Sequence, residues 1–366
     1  MEFDLSADQL ALRDAAADLL AERADSASVR RVVDVGGGWD RDLWGDLVEQ
    51  GWAGLLVAEE LGGVGLGWVE AAVLCETVGS RVAPAPVLSQ LVATSALEEV
   101  GDRSWLDKLT SGSAVAAVSA RPLEASTSSS GLVVSGTTEP VAFAPSADVL
   151  LAVADSGPDT GAGGGPGSRL VLVELGGARP EPEEAMDLTR EFARVNLDST
   201  PAIELGGSEA VERYLDCGAT AYAAEMLGCA STALDMAVTH AREREQFGRP
   251  IGSFQAIKHR CADMLVDVEG MRSATWWAAW CLATDDPQRI AAASTAKIWC
   301  SDAAERVLTS ALQVHGGIGF TWESDLHLYL KRVEYDRRAF GTASKHRERL
   351  ASVLRARLES GEPVIQ

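Results

Sequence analysis

The second half of the chain carries the pattern that most constrains the fold, a helical period that begins near Ser208 and continues towards the C-terminus. Apolar residues recur there at helical spacing in two stripes, Leu227, Ala230, Leu234 and Ala237, then Ile257, Cys261, Met264 and Val268. Residues 288–313 and 324–340 continue the pattern. These segments exceed the average helix of about 11–12 residues, and long apolar helices with short connections are typical of antiparallel bundles. The pattern predicts a C-terminal four-helix bundle over residues 206–366.

The rest of the chain divides into a helical block and a β block. Residues 1–111 show helical spacing, and Ser6 and Gln9 have the spacing of a capping box at the start of the first helix. Short apolar runs bounded by Ser, Gly and Pro predict strands at residues 114–118, 132–134, 149–153 and 170–173. We therefore expect an α+β protein that is mostly α, with an N-terminal helical domain (1–111), a middle β-domain (112–205) and the C-terminal bundle.

Charge and cysteine content argue against several classes of partner. The 366 residues include 32 Lys and Arg against 54 Asp and Glu, a formal net charge of −22, whereas proteins that bind nucleic acid or anionic membranes need a basic face. The six cysteines form no C-x-x-C pair, so we expect neither a metal site nor a disulfide scaffold. Residues 1–4 do not resemble a secretory signal, and no apolar run reaches the about 18 residues of a transmembrane helix. We expect a soluble, cytoplasmic protein.

Two segments of the predicted bundle contain residue types suited to a nucleotide cofactor. In the run A-R-E-R-E-Q-F-G-R-P-I-G-S-F-Q (residues 241–255), Arg244 offers a planar fork of donors for a phosphate, and Phe247 offers a stacking surface. From the residues alone, a pairing of Arg244 with Glu243 or Asp235 and a packing role for Phe247 are also open. In the second segment, Q-V-H-G-G-I-G-F (313–320), the paired glycines either cap a helix or let the backbone approach a diphosphate. The spacing is not that of a Rossmann motif.

Taken together, these segments resemble the C-terminal flavin signature of the acyl-CoA dehydrogenases. The likeness extends to A-A-E-M-L-G (223–228), T-W-E-S-D-L-H-L-Y-L-K-R (321–332) and the N-terminal A-E-E-L-G-G-V-G-L-G (58–67), and it covers nearly the whole chain. The resemblance implies FAD as cofactor and FAD-dependent α,β-desaturation of an acyl-CoA in fatty acid or lipid metabolism. It further implies an electron-transfer flavoprotein or similar acceptor, and a dimer or tetramer, homo- or hetero-oligomeric, with an acyl-CoA dehydrogenase-like chain.

The resemblance also assigns cofactor contacts to particular residues. Arg244 would contact the FAD pyrophosphate, Phe247 the adenine end, and Phe254 and Gln255 would lie along the same cofactor. Gln313, Gly316 and Gly317 would close over the diphosphate. In this family such contacts cross a dimer interface to the FAD of the neighbouring subunit.

The family's catalytic base has no evident counterpart. The usual base is a Glu before a Gly-Thr, and here Phe340 occupies that position; the alternative base position falls on Gly218. The catalytic residue is therefore unknown. Nearby carboxylates are Asp216, Glu225 and Asp336, of which Glu225, on an otherwise apolar helix face, is the least ordinary but still a weak candidate.

The flavin-ring half of the family site is also missing from the sequence. Residues 117–130 lack the T-E-P-x-A-G-S-D-like run that binds the flavin ring, and residues 112–205 contain no tryptophan. Three hypotheses follow: an acyl-CoA dehydrogenase with an unrecognised base, a non-catalytic subunit that completes the FAD site of a partner chain, or a flavoprotein oxidase or hydroxylase on the same fold.

Overall fold

The computed structural model describes residues 5–129, 131–156, 167–176 and 179–361. Its α-helices are α1 (Ala7–Arg23), α2 (Ser26–Asp34), α3 (Arg41–Glu49), α4 (Trp68–Ser80), α5 (Val87–Glu99), α6 (Leu106–Thr110), α7 (Ser208–Glu243), α8 (Gln255–Ala283), α9 (Arg289–His315), α10 (Leu326–Asp336) and α11 (Ala343–Ser360). Its strands are β1 (Ala116–Ser128), β2 (Gly131–Thr137), β3 (Val141–Ala142), β4 (Val149–Asp155), β5 (Ser168–Glu174), β6 (Phe192–Ala193), β7 (Asn196–Pro201), β8 (Ile203–Gly206), β9 (Glu245–Gln246) and β10 (Arg249–Pro250). The mostly helical α+β architecture predicted from the sequence is confirmed.

The N-terminal block is helical from α1 to α6. The Ser6 hydroxyl accepts a hydrogen bond from the Gln9 backbone N–H while the Gln9 side chain accepts one from the Ser6 N–H, which confirms the predicted capping box. Helix α4 packs on α7 through glycines. A Cβ atom on Gly79 would lie 2.1 Å from the carbonyl oxygen of Glu225, and one on Gly228 would lie 1.9 Å from that of Glu76. Only glycine permits this approach, which holds α4 against the middle of α7.

The middle block is a six-stranded sheet with strand order β7-β2-β1-β4-β5-β8. Strands β1 and β4 run parallel and the other neighbours antiparallel, so the sheet is mixed and not doubly wound. The predicted apolar runs fall on β1, β2, β4 and β5. Helix α7 is tied to this sheet, because the buried Tyr214 hydroxyl donates to the carbonyl oxygens of Ser119 (3.1 Å) and Leu151 (3.0 Å).

The blocks change close to the predicted domain boundaries. Helix α6 ends at Thr110 and α7 begins at Ser208. One hydrophobic cluster nevertheless runs through all three blocks, from Ala16 on α1 to Phe340 after α10. The three blocks share this hydrophobic core. The division of the chain into separate domains after residues 111 and 205 therefore stays a prediction.

The C-terminal bundle differs from the prediction in its fourth member. Helices α7, α8 and α9 have 36, 29 and 27 residues, but α10 has only 11 and ends at Asp336. The predicted helix over residues 324–340 is therefore wrong in extent. Residues 337–340 form a turn, and the helical path cannot continue beyond it because Phe340 and Gly341 take left-handed backbone angles, with φ of +54° and +97°. The separate helix α11, whose N-cap Thr342 accepts from the Lys345 backbone N–H, was not predicted.

The described ranges contain neither a membrane-spanning helix nor a cluster of metal-binding side chains. None of the helices there combines the length and the apolar composition that a membrane crossing requires. No group of three or more His, Cys, Asp or Glu residues there is arranged to hold a metal ion.

Candidate functional site

The first predicted cofactor segment is a hairpin between α7 and α8. Strands β9 and β10 pair antiparallel, and the turn residues Phe247 and Gly248 have φ of +57° and +76°. Two successive positive φ angles are typical of a type I′ hairpin turn, which projects Phe247 outward with 91% of its surface exposed. The Phe247 ring meets Phe254 edge-on, with centroids 6.0 Å apart, and the Arg249 guanidinium covers Phe254 at 4.2 Å. Gln255, also exposed, opens α8.

Arg244 forms the C-terminal cap of α7. Its backbone N–H donates to the His240 carbonyl and its own carbonyl accepts from Ile251, both at 2.8 Å, so the main chain at this residue is fixed. Its exposed guanidinium makes no ion pair or hydrogen bond with any residue of the described ranges. The pairing with Glu243 or Asp235 considered above is therefore not formed, and the fork of donors is free for a ligand.

The second predicted segment lies beside the first. Helix α9 ends at His315, and Gly316, with φ of +64°, leads into a 3₁₀ turn over Gly316–Phe320. A Cβ atom on Gly316 or Gly317 would meet no heavy atom within 4 Å, so their backbone is open to a ligand, and Gln313 is exposed one turn earlier. The His315 ring stacks on that of His240, with centroids 4.6 Å apart and planes at 17°. Because His240 lies one turn before Arg244, this stack joins the two segments.

The two positions where family members carry the base face each other in the fold. Phe340 is buried, and a Cβ atom added to Gly218 would lie 2.0 Å from a carbon of its ring. Tyr214 and Tyr222 stand one turn before and one turn after Gly218 on α7, and their ring centroids lie 5.1 and 5.7 Å from that of Phe340. Among the described residues, the space between the two positions is therefore filled by aromatic rings.

The weak candidate Glu225 is fully buried between two arginines. Arg332 Nη1 donates to Glu225 Oε1 at 2.6 Å, and Arg190 Nη2 bonds Glu225 Oε2. Arg190 also bonds Asp336 (2.9 Å), and Arg332 also bonds Asp187 (3.0 Å). We call Asp187, Arg190, Glu225, Arg332 and Asp336 the buried ionic network. It joins the loop after β5, helix α7 and helix α10.

The network determines the protonation of its acids. Burial alone would raise the pKa of Glu225, but the charges of Arg190 and Arg332 outweigh it and hold the pKa below its usual value. Burial and the neighbouring Glu225 charge raise the pKa of Asp336 instead. Asp216, the remaining candidate, is also buried and pairs with Arg289 (2.9 Å) and Arg349. Each of these carboxylates pairs with at least one guanidinium, as is typical of buried carboxylates in structural ion pairs.

Sequence reasoning missed the arginines of this network. Arg332 lies in the quoted run at residues 321–332, but nothing in its spacing shows that it turns inward. Arg190 is an isolated Arg in a polar connection. The one available signal was Glu225 itself, because a buried carboxylate on an apolar face implies a cationic partner elsewhere in the chain.

The chain matches two models of protein families. The model "Acyl-CoA dehydrogenase, N-terminal domain" matches residues 6–113, and "Acyl-CoA dehydrogenase, C-terminal domain" matches residues 206–354. The chain is also 34% identical to "Acyl-CoA dehydrogenase IpdE2" of Mycolicibacterium smegmatis, over 94% of this chain and 98% of that protein. The chain belongs to the acyl-CoA dehydrogenase family.

Two solved structures share its fold along nearly the whole length. A variant of the "Tcur3481-Tcur3483 steroid ACAD" is 31% identical with a TM-score of 0.87, over 96% of this chain and 99% of that one. The "ChsE4-ChsE5 complex from Mycobacterium tuberculosis" is 26% identical with a TM-score of 0.87, over 97% and 99% of the two chains. The reaction is therefore that of the acyl-CoA dehydrogenases, the FAD-dependent oxidation of a CH–CH bond of an acyl-CoA.

The described residues fit one half of FAD better than the other. The free guanidinium of Arg244, the exposed ring of Phe247 and the open backbone of Gly316 and Gly317 match a diphosphate and an adenine. At the catalytic end, by contrast, Phe340 and Gly218 replace the base. In the described ranges, this acyl-CoA dehydrogenase chain thus has exposed groups suited to a nucleotide and no recognisable catalytic base.

Proposed function

We propose that this chain takes part in that reaction as one subunit of a heteromeric acyl-CoA dehydrogenase, and that it is the non-catalytic subunit, the one without the base. In that assembly it contributes Arg244, Phe247, Phe254, Gln255, Gln313, Gly316 and Gly317 to FAD held mainly by a partner chain. The partner supplies the glutamate base and the flavin-ring contacts. FAD, when bound there, provides the acceptor for the substrate β-hydride.

The observation that carries the proposal is the state of the carboxylates near Phe340. A general base must be free to approach the substrate and to take up a proton. Glu225 and Asp336 are instead fully buried and share Arg190, and Glu225 binds Arg332 as well. Moving Glu225 onto a substrate would take one of two carboxylate partners from each of two buried guanidinium groups, which is unfavourable.

The exposed nucleotide contacts support the second half of the proposal. Arg244 and Phe247 point away from their own chain, so they serve a ligand held elsewhere. The names of the two solved structures fit this arrangement, because each name joins two different proteins. By analogy we propose a dimer or tetramer with an acyl-CoA dehydrogenase-like chain, an electron-transfer flavoprotein or similar acceptor, and a cytoplasmic site of action.

Co-expression tests the proposal. The chain is purified alone and together with an acyl-CoA dehydrogenase paralogue encoded beside its gene, and the FAD content and its bleaching by acyl-CoA are measured. We expect a colourless chain alone and a yellow complex, with one FAD per pair, that acyl-CoA bleaches. A homogeneous chain that is yellow and bleached rapidly by acyl-CoA contradicts the proposal.

The same measurement separates the remaining hypotheses. A yellow homogeneous chain that consumes oxygen with a substrate other than an acyl-CoA is the result expected of an oxidase or hydroxylase. A complex that stays colourless contradicts the contribution to the partner's FAD site.

A further inference from the structure

Two stacked histidines connect the helix ends that carry the predicted nucleotide contacts. His315 is the last residue of α9 and directly precedes Gly316. His240 lies one turn before Arg244 at the end of α7. The two half-buried rings stack with centroids 4.6 Å apart and planes at 17°. The stack is therefore a direct side-chain contact between the helix end that presents Arg244 and the helix end that opens into Gly316.

Both histidines are also tied to the backbone of their own helix ends. The His240 carbonyl oxygen accepts the Arg244 backbone N–H at 2.8 Å, which caps α7. The Nδ1–H of His315 donates to the Ala311 carbonyl oxygen at 2.8 Å, so the ring has a fixed orientation. Because each ring is held from its own helix and stacks on the other, a change in the stack would disturb the alignment of the two helix ends.

The surroundings of His240 keep it neutral while Arg244 is unpaired. Burial lowers the pKa of His240, and the neighbouring His315 and Arg244 lower it further, whereas the Glu243 charge raises it. The net direction is downward from 6.5, so the ring carries no proton charge at physiological pH.

The other elements at these helix ends direct their charges elsewhere. The 3₁₀ turns over residues 251–253 and 316–320 contain no charged residue. On α8, Arg260 donates to a serine hydroxyl of α9 and His259 meets a glutamine of its own helix, both at 3.4 Å. Among the described residues, the protonation of His240 is thus decided by the stack and by the end of its own helix.

Arg244 changes the charge around His240 when it pairs with a diphosphate. The guanidinium is free and its fork of donors suits a phosphate. The pairing compensates a positive charge that disfavours protonated His240, and the second negative charge of the diphosphate favours it. His240 then gains one proton from the solvent, and no covalent bond to carbon forms or breaks.

We propose that His240 and His315 are positioning residues of the FAD site. Their stack aligns Arg244 with Gly316, and His240 takes up one proton from the solvent when the diphosphate binds. This inference rests on the proposed function, since it concerns FAD held between this chain and its partner. It goes further by naming two residues outside the predicted contacts and a pH dependence of cofactor affinity. By linkage, a site that takes up a proton on binding holds FAD more tightly at lower pH.

The test measures FAD binding to the purified, FAD-stripped complex at pH 6 and pH 8. Calorimetry in buffers of different ionisation enthalpy gives both the affinity and the number of protons taken up. H240F keeps a ring in the stack but takes up no proton, and H240A removes the ring. H327F is the control, because it removes a histidine that lies against Trp322 and outside the stack.

The variants should separate the stack from the proton. We expect the wild type and H327F to bind FAD more tightly at pH 6 than at pH 8, by up to about tenfold, the factor that corresponds to one pKa unit. H240F should bind FAD as the wild type does at pH 8 and lose the difference between the two pH values. H240A should bind FAD about two- to tenfold more weakly than H240F at pH 8, which is the loss expected of an aromatic pair.

Several outcomes overturn the inference. These are equal FAD affinity at both pH values in the wild type, a pH dependence that H240F retains, and H240A binding FAD as tightly as H240F. If H240A does not fold, H315A judged against H315F gives the same comparison of lost and retained rings. A complex that binds no FAD contradicts both this inference and the proposed function. Flavin reduction by the chain without a partner contradicts the proposed function alone, and the same variants are then measured in the homogeneous chain.

Discussion

The two ends of the predicted flavin site are built in opposite ways. At the nucleotide end, Arg244 and Phe247 are exposed, and Arg244 has no partner among the described residues. At the catalytic end, Phe340 is buried against Gly218, and Glu225 is neutralised by two arginines. Open, unpaired groups are suited to an external ligand, whereas filled space and paired charges stabilise the chain itself. The contrast shows that the two ends of one predicted site differ in kind: exposed groups suited to a ligand at one end, and packed rings and paired charges that stabilise the fold at the other.

The largest expected effect concerns chemistry at the catalytic end. Loss of a general base costs about 10²–10⁴-fold in rate, so we expect the chain alone to reduce flavin at least that much more slowly than the complex. Phe340→Glu should not restore the rate, because the new carboxylate would lie among Gly218, Tyr214 and Tyr222 and the flavin-ring contacts are missing. Stopped-flow flavin reduction after FAD reconstitution measures this. A gain in F340E that the matched variant F340Q does not show would contradict the expectation.

The next effect tests whether the buried ionic network serves stability. Arg332→Met removes a fully buried cation and leaves Glu225 and Asp187 without it, so we expect the free energy of unfolding to fall by about 3–5 kcal/mol. Arg338, whose side chain is 66% exposed and pairs with Glu334, is the control, and Arg338→Met should cost at most about 1 kcal/mol. Urea unfolding gives both values. Equal costs would mean that the network contributes no more than a surface pair.

At the nucleotide end the prediction concerns affinity instead of folding. Arg244→Ala should leave the free energy of unfolding unchanged and remove a charge-assisted contact worth about 1.5–3 kcal/mol, which weakens FAD binding by the complex roughly ten- to a hundredfold. FAD dissociation from the complex measures the loss. Arg242→Ala, an exposed neighbour two residues earlier, should bind FAD as the wild type does. Unchanged FAD retention in the Arg244 variant would remove this residue from the site.

The smallest effect is a pH dependence of stability at the catalytic end. Lys297 is fully buried and donates to the Asp336 carbonyl oxygen, and burial lowers its pKa from 10.5 to about 7. Between pH 7 and 10 the unfolded chain therefore binds more protons than the folded chain, so Lys297 makes stability rise with pH, by about 1 kcal/mol per pH unit. Lys297→Met should remove this slope, whereas Lys345→Met, at an exposed site, should keep it. Urea unfolding at pH 7.5 and 9 provides the comparison, and equal slopes in the wild type and Lys297→Met would contradict it.

Much of the fold was predictable because it depends on local patterns. The stripes on α7 and α8, the apolar runs of β1, β2, β4 and β5, and the Ser6 capping box each involve neighbours in the chain. The fourth helix was predicted too long because its end depends on the left-handed turn at Phe340, which His346 and the packing against Gly218 hold in place. Such an end has no local sequence signal beyond Gly341.

The sequence alone determined the family and the order of helical and β blocks, and it supplied the predicted nucleotide segments and the observation that neither predicted base position holds a glutamate. Those features reside in residue identity and spacing, which a chain displays before it folds. The tertiary structure decided that Phe340 meets Gly218, that Glu225 lies between Arg190 and Arg332, and that Arg244 has no partner in the described ranges. These are contacts between residues far apart in the chain, and whether a charge is buried, paired or free depends on which distant groups the packed core brings beside it.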